Sequence, residues 1–205
     1  VAMLSPNSMD YSEMFAATLI SGACAVPMQG MITDHSLDLM LRDCNAKALI
    51  VASDMEKMAG VFLRDCAQIV PGGLIGFDFS NDQFRDLDRW LRAQSDAMPN
   101  VQLAGDAEFN IIYSSGTTGT PKGIIHSHRT RQALAIGLMS LGITSDAITL
   151  VATPLYSNTT ITTWWPTLCA GGTLVIMPKF DAEGALQLIQ EHRVTHVMLV
   201  PVQYD

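Results

Sequence analysis

One stretch of this sequence has the side chains for chemistry: Tyr113-Ser-Ser-Gly-Thr-Thr-Gly-Thr-Pro-Lys-Gly123. Between Ser114 and Thr120 it carries five hydroxyls and two glycines, and Lys122 follows. Glycine lets a backbone approach an anion closely and turn its N–H groups inward. Hydroxyls donate to phosphate oxygens, and a lysine adds a mobile positive point charge. The combination suits a polyphosphate.

It is not the usual P-loop. Counted from Gly116, Lys122 does take the lysine position of G-x-x-x-x-G-K-[ST]. Pro121, however, precedes it without an N–H to offer, and Gly123 stands where a Ser or Thr would meet a metal. The next residues, Ile124-Ile125-His126, favour a strand, whereas a P-loop opens a helix. A loop between two strands fits better, which argues against a P-loop triphosphatase or kinase.

The stretch resembles the phosphate loop of adenylate-forming enzymes, the superfamily of acyl- and aryl-CoA synthetases, peptide-synthetase adenylation domains and luciferases. The family pattern, Tyr-Thr-Ser-Gly-Thr-Thr-Gly-x-Pro-Lys-Gly, is matched everywhere except at Ser114, where one hydroxyl residue replaces another. Other segments follow in the family's order. Ala16–Met28 resembles its early helix-to-strand segment, His128 the histidine after the loop, Thr153-Pro-Leu-Tyr156 its next motif, and Ala170-Gly-Gly-Thr173 a downstream turn. The resemblance covers nearly the whole chain.

That resemblance implies a two-step reaction. A carboxylate attacks the α-phosphorus of ATP, giving an acyl-adenylate and pyrophosphate, and a thiol, most often coenzyme A, then takes the acyl group. By match to the motif, Ser114, Ser115, Gly116, Thr117, Thr118, Gly119, Thr120, Pro121 and Lys122 hold the nucleotide's β- and γ-phosphates. Lys122 and Thr118 are the residues expected to bear most on catalysis. Mg²⁺ is expected to neutralise the leaving pyrophosphate, and which hydroxyl meets it stays open. In the family the second motif borders the acyl pocket, so Tyr156, Asn158 and Thr159 are candidate substrate-binding residues. Ser157 stands where many acyl-CoA synthetases have His, so the resemblance does not assign a particular aryl acid.

Other suggestive residues have plainer readings. His126 and His128, two apart, lack a nearby carboxylate and read as strand residues rather than metal ligands. Trp164-Trp165 reads as helix core. Asp78, Asp82, Asp86 and Asp88, with Arg85 and Arg89, read as a solvated helix face.

The elements that must position these groups alternate between strand-like and helix-like patterns along the 205 residues. Tyr11, Met14, Phe15, Thr18 and Leu19 share one helical face, as do Leu37, Met40, Leu41 and Cys44. Ser53 and Glu56 have capping-box spacing ahead of Met55, Met58, Ala59, Phe62 and Cys66. Short apolar runs at 1–4, 48–51, 74–77, 109–113, 148–151, 173–177 and 196–200 suit strands covered on both faces. The expected fold is α/β, with layered, largely parallel sheets flanked by helices. Residues 1–94 are read as one lobe, 95–108 as a linker, and 109–205 as a second lobe carrying the phosphate loop.

Composition limits the partners. With 48% hydrophobic residues the chain is not intrinsically disordered. A net charge of −8 with no basic run argues against nucleic acid and anionic membranes. The apolar stretches 14–26 and 133–143 are shorter than the about 18 residues of a spanning helix. No leader pattern opens the sequence, and Cys24, Cys44, Cys66 and Cys169 are widely spaced. Both features read as a cytoplasmic protein with reduced thiols. Val1 already lies in a strand-like run, and Asp205 closes the sequence just after a new segment opens, so the chain reads as a piece of a longer protein.

The expectation is therefore part of an AMP-forming carboxylic acid–CoA ligase using ATP, Mg²⁺ and CoA, with fatty or other apolar acids favoured. The family's metal-associated Glu, ribose-binding Asp and adenylation Lys are not found here, so the piece alone is expected not to turn over. An amino-acid adenylation domain and a non-catalytic nucleotide-binding module are the alternatives, and homo-oligomerisation stays open.

Overall fold

The computed structural model describes residues 1–30, 33–62, 68–114 and 121–204, with backbone alone at 34 and 60–62. Phe62, as a side chain, and Cys66 lie outside the described residues, as do Ser115, Gly116, Thr117, Thr118, Gly119 and Thr120. The chain forms two compact units, residues 1–5 with 10–127 and residues 6–9 with 128–205.

The first unit is built on a five-stranded parallel sheet of order β2-β1-β3-β4-β5. Its strands are β1 (Ala2–Leu4), β2 (Val26–Pro27), β3 (Leu49–Ala52), β4 (Leu74–Phe77) and β5 (Arg85–Asp86). The helices are α1 (Met9–Ile20), α2 (Asp34–Asp43), α3 (Glu56–Phe62) and α4 (Leu87–Leu91). Successive strand residues point to opposite faces. Ala2, Leu4, Leu49 and Val51 pack with Leu37, Met40 and Leu41 of α2 and Ala59 of α3. Ile50, Ile75 and Phe77 pack instead with Leu87 of α4, and Met14 of α1 borders them. Apolar side chains are thus required on both faces, which is why these strands read as continuous apolar runs.

Two strands complete this unit: β6 (Glu108–Ser114) and β7 (Lys122–Ser127), an antiparallel hairpin. Ala25 ties β6 to the chain ahead of β2, with Ala25 N donating to Phe109 O and Ile111 N donating to Ala25 O, both at 3.0 Å. The hairpin therefore groups with the first unit, whereas the sequence reading placed it in the second lobe. Of residues 95–108, read as a linker, 95–107 form no helix or strand and are exposed through residue 106, and Glu108 opens β6.

The second unit holds α5 (His128–Ser140), β8 (Ile148–Val151), α6 (Asn158–Cys169), β9 (Thr173–Ile176), α7 (Ala182–His192) and β10 (His196–Val197). Its three strands are parallel in the order β10-β8-β9. Leu150, Ala152 and Met177 form its core with Ala185 of α7. Buried hydroxyls join α6 to β8 and its following segment: Thr149 meets Thr167 at 2.6 Å, and Thr153 meets Thr160 at 2.7 Å. Asn7 also belongs to this unit. Its amide nitrogen donates to Thr153 O at 2.9 Å and Met177 O at 3.1 Å, and its oxygen accepts from Leu155 N at 2.8 Å.

Two local readings are corrected. Ser53 starts a 3₁₀ turn without a side-chain cap, and the Glu56 carboxylate accepts from Asn81 Nδ2 at 2.8 Å, so no capping box forms. The acidic run from Asp78 is not one helical face. Asp78 has φ 58°, Arg85 and Asp86 form β5, and Asp86 caps the short α4 by accepting from Arg89 N at 2.8 Å. Trp164 is fully buried, as expected of helix core. Cys24, Cys44 and Cys169 are free thiols. No helix among the described residues is long and apolar enough to cross a membrane.

Candidate functional site

The strand pair expected around the hydroxyl-rich segment is present. In the β6–β7 register Ser114 lies opposite Lys122 and Tyr113 opposite Gly123. Antiparallel partners lie roughly 4.5–5.5 Å apart between Cα atoms, so the two ends of the motif are held side by side. Pro121 and Lys122 lead into β7, and Lys122 is exposed, its charge available to an anion in solvent.

Tyr113 ties this end of the hairpin into the first unit. Its ring is 4% exposed, and its hydroxyl donates to Asp43 Oδ2 at 2.5 Å and to Met40 O at 3.2 Å, both near the C-terminus of α2. Its carbonyl accepts from Gln29 Nε2 at 3.4 Å. Burial first, and the neighbouring Asp43 carboxylate second, hold the phenol protonated well above the usual tyrosine range. Across the pair, a Cβ on Gly123 would stand 3.2 Å from Tyr113 Cζ and 3.0 Å from Ile111 Cγ2. Glycine there lets the ring lie against the backbone of β7.

The three candidate acyl-pocket residues fall in the second unit. Ser157 is the N-cap of α6 and accepts from Thr159 N at 3.2 Å. Asn158 Oδ1 accepts from Arg131 Nη2 at 2.9 Å, so part of its hydrogen-bonding capacity joins α6 to α5. Tyr156 is half-buried, which raises its phenol, and Thr159 is exposed.

Arg131 was not singled out in the sequence. It is 2% exposed, and burial pulls its guanidinium down to about 10, which leaves it charged at neutral pH. A charged residue in a helix normally reads as surface, and neither its spacing nor its neighbours mark it otherwise. The partnership of Tyr113 with Asp43 was missed for a related reason: 70 residues separate them.

His126 lies on β7 and His128 opens α5, where burial lowers its pKa. The described residues contain no group of three or more His, Cys, Asp or Glu able to hold a metal ion.

The fold is thus a parallel α/β scaffold with an antiparallel strand pair whose facing ends are Ser114 and Lys122. The chain belongs to the AMP-binding enzyme family, whose model matches residues 1–205. It is 31% identical over 195 residues to the long-chain-fatty-acid–CoA ligase FadD13 of Mycobacterium tuberculosis, covering 95% of this chain and 38% of that protein. It is 30% identical to a feruloyl-CoA synthase of an Amycolatopsis species, covering 100% of this chain and 39% of that protein. Among solved structures, the inhibitor-bound N-terminal domain of FACL13 from M. tuberculosis superposes with a TM-score of 0.87. It is 28% identical, with 98% of this chain and 50% of that chain covered. ATP-bound MatB from Rhodopseudomonas palustris gives a TM-score of 0.83 at 25% identity, with 99% and 39% covered. The chain thus spans about two fifths of the length of the curated relatives it matches.

Proposed function

We propose that this chain is part of an AMP-forming carboxylic acid–CoA ligase. The observation that carries this reading is the β6–β7 hairpin, which pairs Ser114 with Lys122 at the base of the hydroxyl- and glycine-rich motif. The acid's carboxylate oxygen attacks the α-phosphorus of ATP, the bond to the bridging oxygen breaks, and pyrophosphate leaves. The thiolate of CoA then attacks the acyl carbonyl and AMP departs. Lys122 and the motif hydroxyls, Thr118 among them, serve the first step by binding the β- and γ-phosphates and countering charge as pyrophosphate forms. ATP bound to MatB, a structural neighbour, supports the nucleotide.

Tyr156, Asn158 and Thr159 border the acid in this reading. The favoured acids are fatty or otherwise apolar, because the segment from Pro154 to Thr160 carries no charged side chain. FadD13 is named for long-chain fatty acids and the Amycolatopsis protein for ferulate, so both acid classes belong in any screen. Mg²⁺ would supply charge neutralisation at the departing pyrophosphate; among the described residues no group of three or more His, Cys, Asp or Glu stands ready to hold it. The setting is cytoplasmic, supported by the free thiols.

The test is ATP–pyrophosphate exchange by the full-length protein across fatty, aryl and amino acids, with Lys122→Ala alongside. Exchange that depends on a fatty or aryl acid, followed by acyl-CoA formation, supports the reading. Dependence on an amino acid, or ATP binding with no exchange, would overturn it.

A further inference from the structure

The groups around Tyr113 form a closed set of contacts at the point where β6 meets the phosphate motif. The hydroxyl reaches a carboxylate and a main-chain carbonyl on α2, the carbonyl takes a donor from Gln29, and the ring covers Gly123 on the opposite strand. Ser114 is the next residue along β6, and Lys122 directly precedes Gly123. Asp43 is itself unusual, because it ends α2. A helix C-terminus disfavours negative charge and prefers cations. Its chain neighbour Arg42 turns to Asp38, with Nε 2.9 Å from both carboxylate oxygens. An acid at that position is explained by what it holds.

We propose that Tyr113 and Asp43 are positioning residues that anchor the base of the phosphate hairpin to the end of α2 and so fix where Ser114 and Lys122 meet the nucleotide. The proposal rests on reading this hairpin as the ATP phosphate site, and it adds to the motif a residue from another element. A hydrogen bond from a phenol to a carboxylate is short, directional and stronger than a neutral pair. It therefore restrains the hairpin end in a way that ring packing alone does not.

The experiment uses the full-length protein with Tyr113→Phe, Asp43→Ala, Asp43→Asn and the Tyr113→Phe/Asp43→Ala double variant. Three quantities are read: hydrogen exchange at the amides of 113–114 and 122–123 without nucleotide, the ATP dissociation constant by calorimetry, and exchange kinetics. Tyr113→Phe and Asp43→Ala are each expected to speed amide exchange at the hairpin base and weaken ATP binding about 10-fold, the size of one hydrogen bond to a charged acceptor. KM for ATP rises with it and kcat falls several-fold as Lys122 is held less well against the departing pyrophosphate, while the KM for the acid stays within about twofold, since the pair does not border it. Asp43→Asn, which keeps an acceptor oxygen, recovers most of the loss, and the double variant is no worse than the worse single one.

Unchanged hairpin exchange in both single variants overturns the proposal, and so does a loosened hairpin that binds ATP as tightly as before. Exchange that quickens equally across β8 marks general destabilisation and also overturns it. A wild-type protein that binds ATP but catalyses no pyrophosphate exchange defeats the ligase reading alone, and the ATP dissociation constants then decide this proposal.

Discussion

Ser114 stands directly across from Lys122, where β6 and β7 begin to separate. The pairing brings the two ends of a stretch of small polar residues together, since one strand delivers a hydroxyl and the other an ammonium to the same end of a hairpin. If that ammonium counters charge on departing pyrophosphate, Lys122→Ala should lower the exchange rate of the full-length protein about 100-fold. Lys122→Arg should keep part of the rate, because the charge stays while its point-like geometry is lost. Steady-state kinetics of pyrophosphate exchange check both.

Asn7 is expected to be a stability determinant of the second unit. Its amide satisfies two carbonyls and one N–H, all buried, and Asn7→Ala would leave Leu155 N without an acceptor. A loss of about 2–4 kcal/mol is expected. Asn7→Asp should be at least as harmful, since it removes both donors and sets a carboxylate against two carbonyls. Urea unfolding followed by tryptophan fluorescence in a Trp90→Phe background reads this unit, because Trp164 and Trp165 lie in α6 while Trp90 lies in α4 of the first unit.

High pH should weaken the fold. Tyr11 and Tyr113 have pKa values raised in the folded chain, mainly by burial, and burial pushes Cys24 up to about 11. The unfolded chain loses thiol and phenol protons from about pH 8.5 and pH 10 respectively, while the folded chain retains them. Their contribution is fully present below those values and is lost as pH rises beyond them. Midpoints of urea unfolding should therefore fall from pH 9 to 11, with a shallower decline in Tyr113→Phe toward the upper end.

Tyr156 and Asn158 should separate in effect although they are near neighbours in sequence. Tyr156→Ala is expected to raise the KM for the acid about 10-fold or more, with little change for ATP, if its half-buried ring borders the acyl group. Asn158→Ala instead breaks the hydrogen bond to the buried Arg131 guanidinium. It should cost about 1–3 kcal/mol of stability. Acid-dependent exchange kinetics and thermal unfolding of both variants check the contrast.

The hydroxyl- and glycine-rich stretch, the flanking strands and the apolar helix faces were legible because each is local. A glycine and hydroxyl pattern, a run of β-branched residues and a three-to-four residue period are properties of neighbours along the chain. Leu37, Met40 and Leu41 are buried as their spacing implies. The absence of Gly123's side chain was also visible, although its reason, the Tyr113 ring lying against it, was not.

Where local patterns were pushed further they met competition from distant partners. Glu56 has capping-box spacing after Ser53, but Asn81 takes its carboxylate. Asn158 also accepts from Arg131 on another helix, a partner its own segment does not announce. The hairpin was placed with the residues after it, and Ala25 draws β6 into the first unit.

From residue order alone, this protein's α/β class, its phosphate motif and its family resemblance could be stated, because these depend on chain neighbours and on backbone periodicity. Only the folded chain could decide that Asn7 belongs with residues 146 to 170 positions away, or that Tyr113 ties β6 to Asp43 at the end of α2. Hydrogen bonds of that kind arise when packing removes water from polar groups and leaves one partner within reach. Sequence spacing carries no record of which partner that will be.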